Sequence, residues 1–166
     1  MEKQDRYSKL RPPDPTPDDE LCRCPGAPPI KLMVALGYNP VHCMNCNLEV
    51  PPETLDLDAD LVQALAYWRG VYDALYRLWL ASGQDEAWAV AQLTDLNGEV
   101  NVEGRALQQA LNQIRRCYYL YFQDESTDDY APLRDCPACG KSLTTYTASK
   151  IPERVCESCG IVVFGA

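Results

Sequence analysis

Eight of the nine cysteines fall into four close pairs: Cys22 and Cys24, Cys43 and Cys46, Cys136 and Cys139, Cys156 and Cys159. Eighteen residues separate the first two pairs and sixteen the last two. Thiolates are soft donors, and zinc takes four ligands in a tetrahedron. Two short-spaced pairs brought together across a hairpin supply that set, so the spacing predicts two structural zinc ions, each held by four cysteines. Disulfides are the alternative. The opening run MEKQDRYSKL lacks the apolar stretch of an export signal, so the expectation is a cytoplasmic protein with reduced thiols. Thioredoxin-like chemistry at Cys136-Pro137-Ala138-Cys139 would call for one isolated pair in a βαβ setting, whereas here the pair recurs at zinc intervals.

The C-terminal run DCPACGKSLTTYTASKIPERVCESCGIVVFGA is the more regular of the two. Gly140 and Gly160 follow its pairs, where a tight knuckle calls for a residue tolerating positive φ. Thr144 to Thr147 alternates as a strand does, and Ile161–Phe164 reads as a short β-branched and aromatic strand. At the N-terminal site, Cys22-Arg23-Cys24 leaves one intervening residue, too few for the usual knuckle. His42 could there replace a cysteine. Four cysteine ligands are the preferred reading, with His42 an ordinary, partly exposed imidazole. Between these pairs the run IKLMVAL, 30–36, reads as a strand, and Gly37-Tyr38-Asn39-Pro40 as a turn.

Residues 56–122 carry helical periodicity. Asp58 or Asp60 caps a helix bearing Leu61, Leu65, Trp68, Tyr72, Leu75 and Trp79 on one face, ended by Ser82-Gly83. A shorter helix fits Asp85 to Leu93, with Asp85 as its cap. Asn101 is expected to cap a last helix with Leu107, Leu111, Ile114, Tyr118 and Tyr121 on one face, and Cys117 inside it as a small buried hydrophobe. The many aromatic side chains read chiefly as core between the first and last helices, with some left outward as an interface patch. A base-stacking platform is the functional alternative.

Charge narrows the function. The chain is net −9, and residues 51–135 hold six basic and fifteen acidic side chains, whereas 22–50 and 136–166 are each net +1. Nothing here supplies the basic face of a nucleic-acid binder. No apolar run approaches the roughly 18–20 residues of a membrane-spanning helix. Residues 8–20 read as a flexible proline-rich tail. The acidic linker offers Asp124, Glu125, Asp128 and Asp129 either as a solvated loop or as a contact for a basic partner.

The order ribbon, aromatic helices, acidic linker, ribbon resembles a group of uncharacterised bacterial zinc-ribbon proteins described as nucleic-acid-binding. The stretches that carry the resemblance are CRCPGAPPIKLMVALGYNPVHCMNCNLEVPPE, LYRLWLASG and CPACG with VCESCG, spanning about residues 20–166. VCESCGIVV is also similar to the second knuckle of transcription-factor-B-type ribbons. The resemblance implies the ribbon fold and a nucleic-acid role.

The expected fold class is α+β: a tail at 1–20, an irregular ribbon at 21–55, an aromatic-rich helical body at 56–123, an acidic linker at 124–135 and a second ribbon at 136–166. Chelation should then unfold the ribbons and spare the helices. An enzyme is not expected, because all-cysteine sites leave zinc no open position and one histidine is little for acid–base work. Two functions follow. The first is a zinc-stabilised interaction module whose acidic body docks a basic protein, as an immunity protein, antitoxin or assembly subunit would. The second is a nucleic-acid-associated ribbon protein in transcription or on RNA.

Overall fold

Three parallel strands form the middle of the molecule, and an antiparallel hairpin closes each side. In the computed structural model, which describes residues 14–35 and 37–165, the elements run β1 (Ile30–Leu32), β2 (Val41–Cys43), α1 (Ala59–Ala81), α2 (Glu86–Thr94), α3 (Glu99–Asn112), β3 (Cys117–Leu120), β4 (Thr144–Thr145), β5 (Glu153–Cys156) and β6 (Ile161–Phe164). The six strands make one sheet in the order β2-β1-β3-β6-β5-β4. β3 pairs in parallel with β1, Cys117 opposite Ile30 and Tyr119 opposite Leu32, and in parallel with β6, Tyr119 opposite Ile161. β1–β2 and β5–β6 are antiparallel.

β3 corrects the helical reading of 101–122. α3 stops at Asn112, whose side-chain oxygen accepts from the Cys117 amide at 2.9 Å and closes the turn into the strand. The run Cys-Tyr-Tyr-Leu suits a pleated, doubly covered position better than a helix. Its side chains therefore part with period two: Cys117 and Tyr119 join the core under the helices, while Tyr118 joins a cluster on the other face with Met44, Val155 and Val162. Cys117 is fully buried, as expected, but from a central strand. Ile114, expected on the apolar face, is exposed.

α1 falls where its caps place it, whereas Asp85, expected to cap the shorter helix, makes no side-chain capping hydrogen bond to α2. The Asp58 carboxylate accepts from the Leu61 amide at 2.8 Å, and Gly83 takes φ +67° just past the end of α1, as a left-handed stop requires. Asn101 does not cap α3. Its amide lies fully buried and donates to the carbonyls of Gln92, Leu93 and Asp95, so it caps the C-terminal end of α2, and its oxygen accepts from the Tyr119 hydroxyl at 2.8 Å. Trp68 of α1 lies edge-on to Tyr119 at 6.1 Å and donates to the Val100 carbonyl. Buried Trp68, Tyr72, Tyr119 and Phe122 bear out the aromatic core; Tyr67 and Trp88 face outward.

The sheet joins what the sequence divides. β3, the last stretch of the helical segment, lies between the two cysteine-bearing hairpins. The strand expected over 30–36 is shorter, and Leu36 lies outside the described residues, as do 8–13 of the proline-rich tail. Residues 14–20 of that tail run through a 3-10 turn at Asp18–Glu20, and Thr16 donates its hydroxyl to Glu49 at 2.6 Å.

Candidate metal centres

Each cysteine set collects at the end of one hairpin. The sulfurs of Cys22, Cys24, Cys43 and Cys46 lie within 4.8 Å of one another, and so do those of Cys136, Cys139, Cys156 and Cys159. All eight expected ligands are thus brought together in the expected two fours, and each four could hold a metal ion. His42 belongs to neither. Contrary to the exposed imidazole expected, it is buried on β2 opposite Lys31, and burial with that nearby ammonium pushes its pKa down to about 4.

Local backbone explains how the sulfurs converge. In the C-terminal hairpin the amides of Gly140 and Gly160 donate to the carbonyls of Cys136 and Cys156 at 2.8 and 2.9 Å, each glycine at positive φ, 72° and 64°. The N-terminal hairpin makes the same turn with Asn47, at φ 64°, donating to Cys43. Asparagine is the residue besides glycine that most readily accepts this conformation. The short Cys22-Arg23-Cys24 spacing is absorbed downstream, where Gly26 and Ala27 both take positive φ. Cys22 is fixed by its amide, which donates to the Glu49 carbonyl at 2.7 Å.

The donor chemistry fits a tetrahedral thiolate site. Metal–sulfur bonds of about 2.3 Å give a tetrahedron with edges of about 3.8 Å, and Cys139 and Cys156 sulfurs stand 3.7 Å apart. That separation is nearly twice a disulfide bond of about 2.05 Å. Burial works to raise the Cys156 thiol, but the Ser158 hydroxyl, the Cys159 amide and the Cys136 and Cys139 thiols favour its thiolate and bring it down to about 6. Cys159 is pushed up to about 12 by burial and by its neighbours' competition for protons, and Cys22 likewise to about 12. Metal ligation takes thiolates, so binding at either group would release the protons its thiols hold.

Supporting contacts absent from the sequence reading tie both sites to the sheet. Ser158 lies 3.3 Å from the Cys156 sulfur, and the Asn45 amide donates to the Cys43 sulfur at 3.3 Å. Asn45 also bridges the hairpins: its carbonyl accepts from the Lys150 amide and its side chain from the Tyr146 hydroxyl, both at 2.8 Å. Glu157, inside the last knuckle, accepts from Arg116 and from the Tyr118 hydroxyl at 2.8 Å. Spacing marks the ligands; the Tyr146–Asn45 and Arg116–Glu157 contacts, 101 and 41 residues apart, leave no local pattern to find.

The acidic linker is partly built in. The Asp124 carboxylate accepts from the Trp79 indole at 3.2 Å and from Ser126, whose hydrogen bonds hold it below the usual carboxylate range. Glu125, Asp128 and Asp129 are exposed. Among the described residues no helix is long and apolar enough to cross a membrane. Comparison with known proteins finds no matching family model, no matching curated protein and no matching solved structure.

Proposed function

We propose that the chain is a non-enzymatic, zinc-stabilised protein-interaction module whose acidic body docks a basic partner, in the manner of an immunity protein, an antitoxin or an assembly subunit. Zinc is the reading the donor set favours, because four cysteines close a structural site and leave no position for water or substrate. The observation that carries the docking reading is the Asp124–Trp79 hydrogen bond, which holds a carboxylate of the acidic linker against the aromatic body before any partner arrives. Preformed charge of one sign speeds encounter with the opposite sign. Metal strengthens the bias: two tetrathiolate zinc sites of net −2 each take the chain from −9 to about −13.

A nucleic-acid role would have to work against that charge through a few cations, Lys141, Lys150 and Arg154. Fluorescence anisotropy of the zinc-loaded chain against a short arginine–lysine oligopeptide and against duplex DNA separates the readings. The oligopeptide should bind, more slowly as salt is raised. Neutralising Asp124, Glu125, Asp128 and Asp129 together should lower its association rate more than neutralising the three cations does. Salt-sensitive submicromolar DNA binding, lost on replacing those cations, would reverse the ranking.

A further inference from the structure

The carboxyl ends of β1, β3 and β6 open into one cavity. Parallel strands commonly place binding crevices there, because all three chains leave the sheet on the same side. The cavity holds about 530 Å³ and is bounded by Met33–Ala35 after β1, Leu120–Gln123 at the end of β3, Phe164 at the end of β6, and the last turns of α1. A volume of this size accommodates several side chains or one small ligand.

Its walls combine rings with negative charge. Tyr76, Trp79 and Phe122 touch one another at centroid separations of 5.0 to 6.4 Å. Tyr72 and Phe164 complete the aromatic lining, the Phe164 ring already carrying the Lys31 ammonium 5.1 Å from its centroid. Arg77, which also borders the cavity, is already spoken for: its Nε lies 2.8 Å from the Asp73 carboxylate. Among the described residues Glu125 at the mouth makes no ion pair, and Asp124 stands beside it, tied to the Trp79 indole. Aromatic faces and carboxylates together favour a cation. The molecule uses the same chemistry elsewhere, with Arg69 over Tyr38 at 4.8 Å and Arg116 over Tyr118 at 4.7 Å. The floor is fixed by Gln123, which donates to the Phe164 carbonyl at 2.8 Å and accepts from the Leu133 amide at 2.9 Å.

We propose that this cavity receives an arginine or lysine side chain from a basic peptide segment of a protein partner, inserted among Tyr72, Tyr76, Trp79 and Phe122 beneath Glu125. The assignment rests on the docking reading above and adds to it the place of contact and the side chain recognised. A cation seated on aromatic rings and partly desolvated should change affinity roughly tenfold, which is about 1.4 kcal/mol.

The three tryptophans give the test a built-in position marker. Trp79 borders the cavity, Trp68 is buried under α3, and Trp88 is exposed on α2. The full, zinc-loaded chain is titrated with an acetylated alanine–arginine peptide while the three indole N–H resonances are followed. The Trp79 resonance should move saturably and the other two should stay. The same peptide with citrulline in place of arginine should bind about tenfold more weakly, as should the Tyr76→Ala variant, while Tyr76→Phe binds as the parent does. Unmoved Trp68 and Trp88 resonances in Tyr76→Ala establish that it folds, and Glu125→Gln supplies an exposed second variant that should also weaken binding. If the peptide binds and Trp79 does not respond, the cavity assignment fails while the basic-partner reading stands. If the peptide does not bind at all, both fail. Equal affinity for the citrulline peptide, or a Trp79 response to oligothymidylate rather than to the peptide, overturns the cation assignment.

Discussion

Lys31 in β1 and Glu153 in β5 form an ion pair with both side chains fully buried, reaching past the two strands that separate them on the face away from the helices. The ammonium also lies over the Phe164 ring, 5.1 Å from its centroid. Burial drives the Lys31 pKa below its usual value, and the Glu153 charge offsets only part of that. Among the described residues one Glu153 oxygen, Oε2, has no hydrogen-bond partner. A pair placed this way joins the two cysteine-bearing hairpins at a substantial desolvation cost. Removing one partner strands a buried charge, so Glu153→Gln or Lys31→Met should each destabilise by about 3–5 kcal/mol in urea unfolding of the zinc-loaded protein. The double variant Lys31→Met/Glu153→Leu should recover most of the loss. Losses that simply add in the double variant would show that the cost lies in packing and not in the charge left behind.

Two glycines in helices should respond oppositely to the same substitution. A Cβ at Gly104 in α3 would stand 2.5 Å from the Tyr119 ring and 2.8 Å from the Trp68 indole. Both rings are locked in the core, so Gly104→Ala should destabilise by about 1–3 kcal/mol despite alanine's better helix propensity. At Gly70 in α1 a Cβ meets nothing within 4 Å. Gly70→Ala should therefore stabilise by about 1 kcal/mol. Thermal or urea unfolding of the two variants, side by side, checks the sign of each.

Chelation should not spare the helices. β1 and β3 form the floor on which Trp68, Val100 and Leu111 pack, and β1 belongs to the N-terminal hairpin. Structural zinc contributes on the order of 10 kcal/mol in isolated fingers, comparable to the whole stability of a domain, about 5–15 kcal/mol. Stripping both ions should thus lower the helical circular-dichroism signal together with the near-ultraviolet tyrosine and tryptophan signals, in one transition. Elemental analysis should give two zinc ions per chain beforehand. Full helix content persisting after chelation would show that the helices need only their own apolar contacts.

Cysteine spacing made both candidate metal centres legible because a metal site constrains residues close in sequence, two at a time. The knuckle glycines and the caps at Asp58 and Gly83 were legible for the same reason: each satisfies a need within four residues. β3 was not. Leu107, Leu111, Ile114, Tyr118 and Tyr121 fit a helical face by spacing, and only tertiary context, α3 packed on one face and β1 and β6 paired along the two edges, decides for a strand. With β3 hidden, the six-stranded sheet, the Lys31–Glu153 pair and the cavity at the strand ends were hidden too. β5 was missed because Glu153 and Arg154 interrupt the apolar pattern, and the charge of Glu153 points inward to a partner 122 residues away.

Cys117 should be the one inert thiol. It lies fully buried at the start of the central strand, its carbonyl held by the Gln108 amide at 2.6 Å. Burial pushes its pKa up to about 12, so almost no thiolate forms near neutrality even if reagent reached it. In the zinc-loaded protein a maleimide should leave Cys117 unmodified while metal removal exposes the eight paired cysteines and, as the sheet opens, Cys117 with them. The pH dependence has a definite sign. A thiol whose pKa is raised by folding, here from 9.0 to about 12, favours the folded state fully below pH 9 and loses that contribution as pH climbs toward 12, because the unfolded chain ionises first. Cys117→Ala should therefore flatten the fall in stability between pH 9 and 12 relative to the parent, both measured by urea unfolding with zinc present. Rapid maleimide labelling of Cys117 at neutral pH with both metals bound would contradict its place in the central strand.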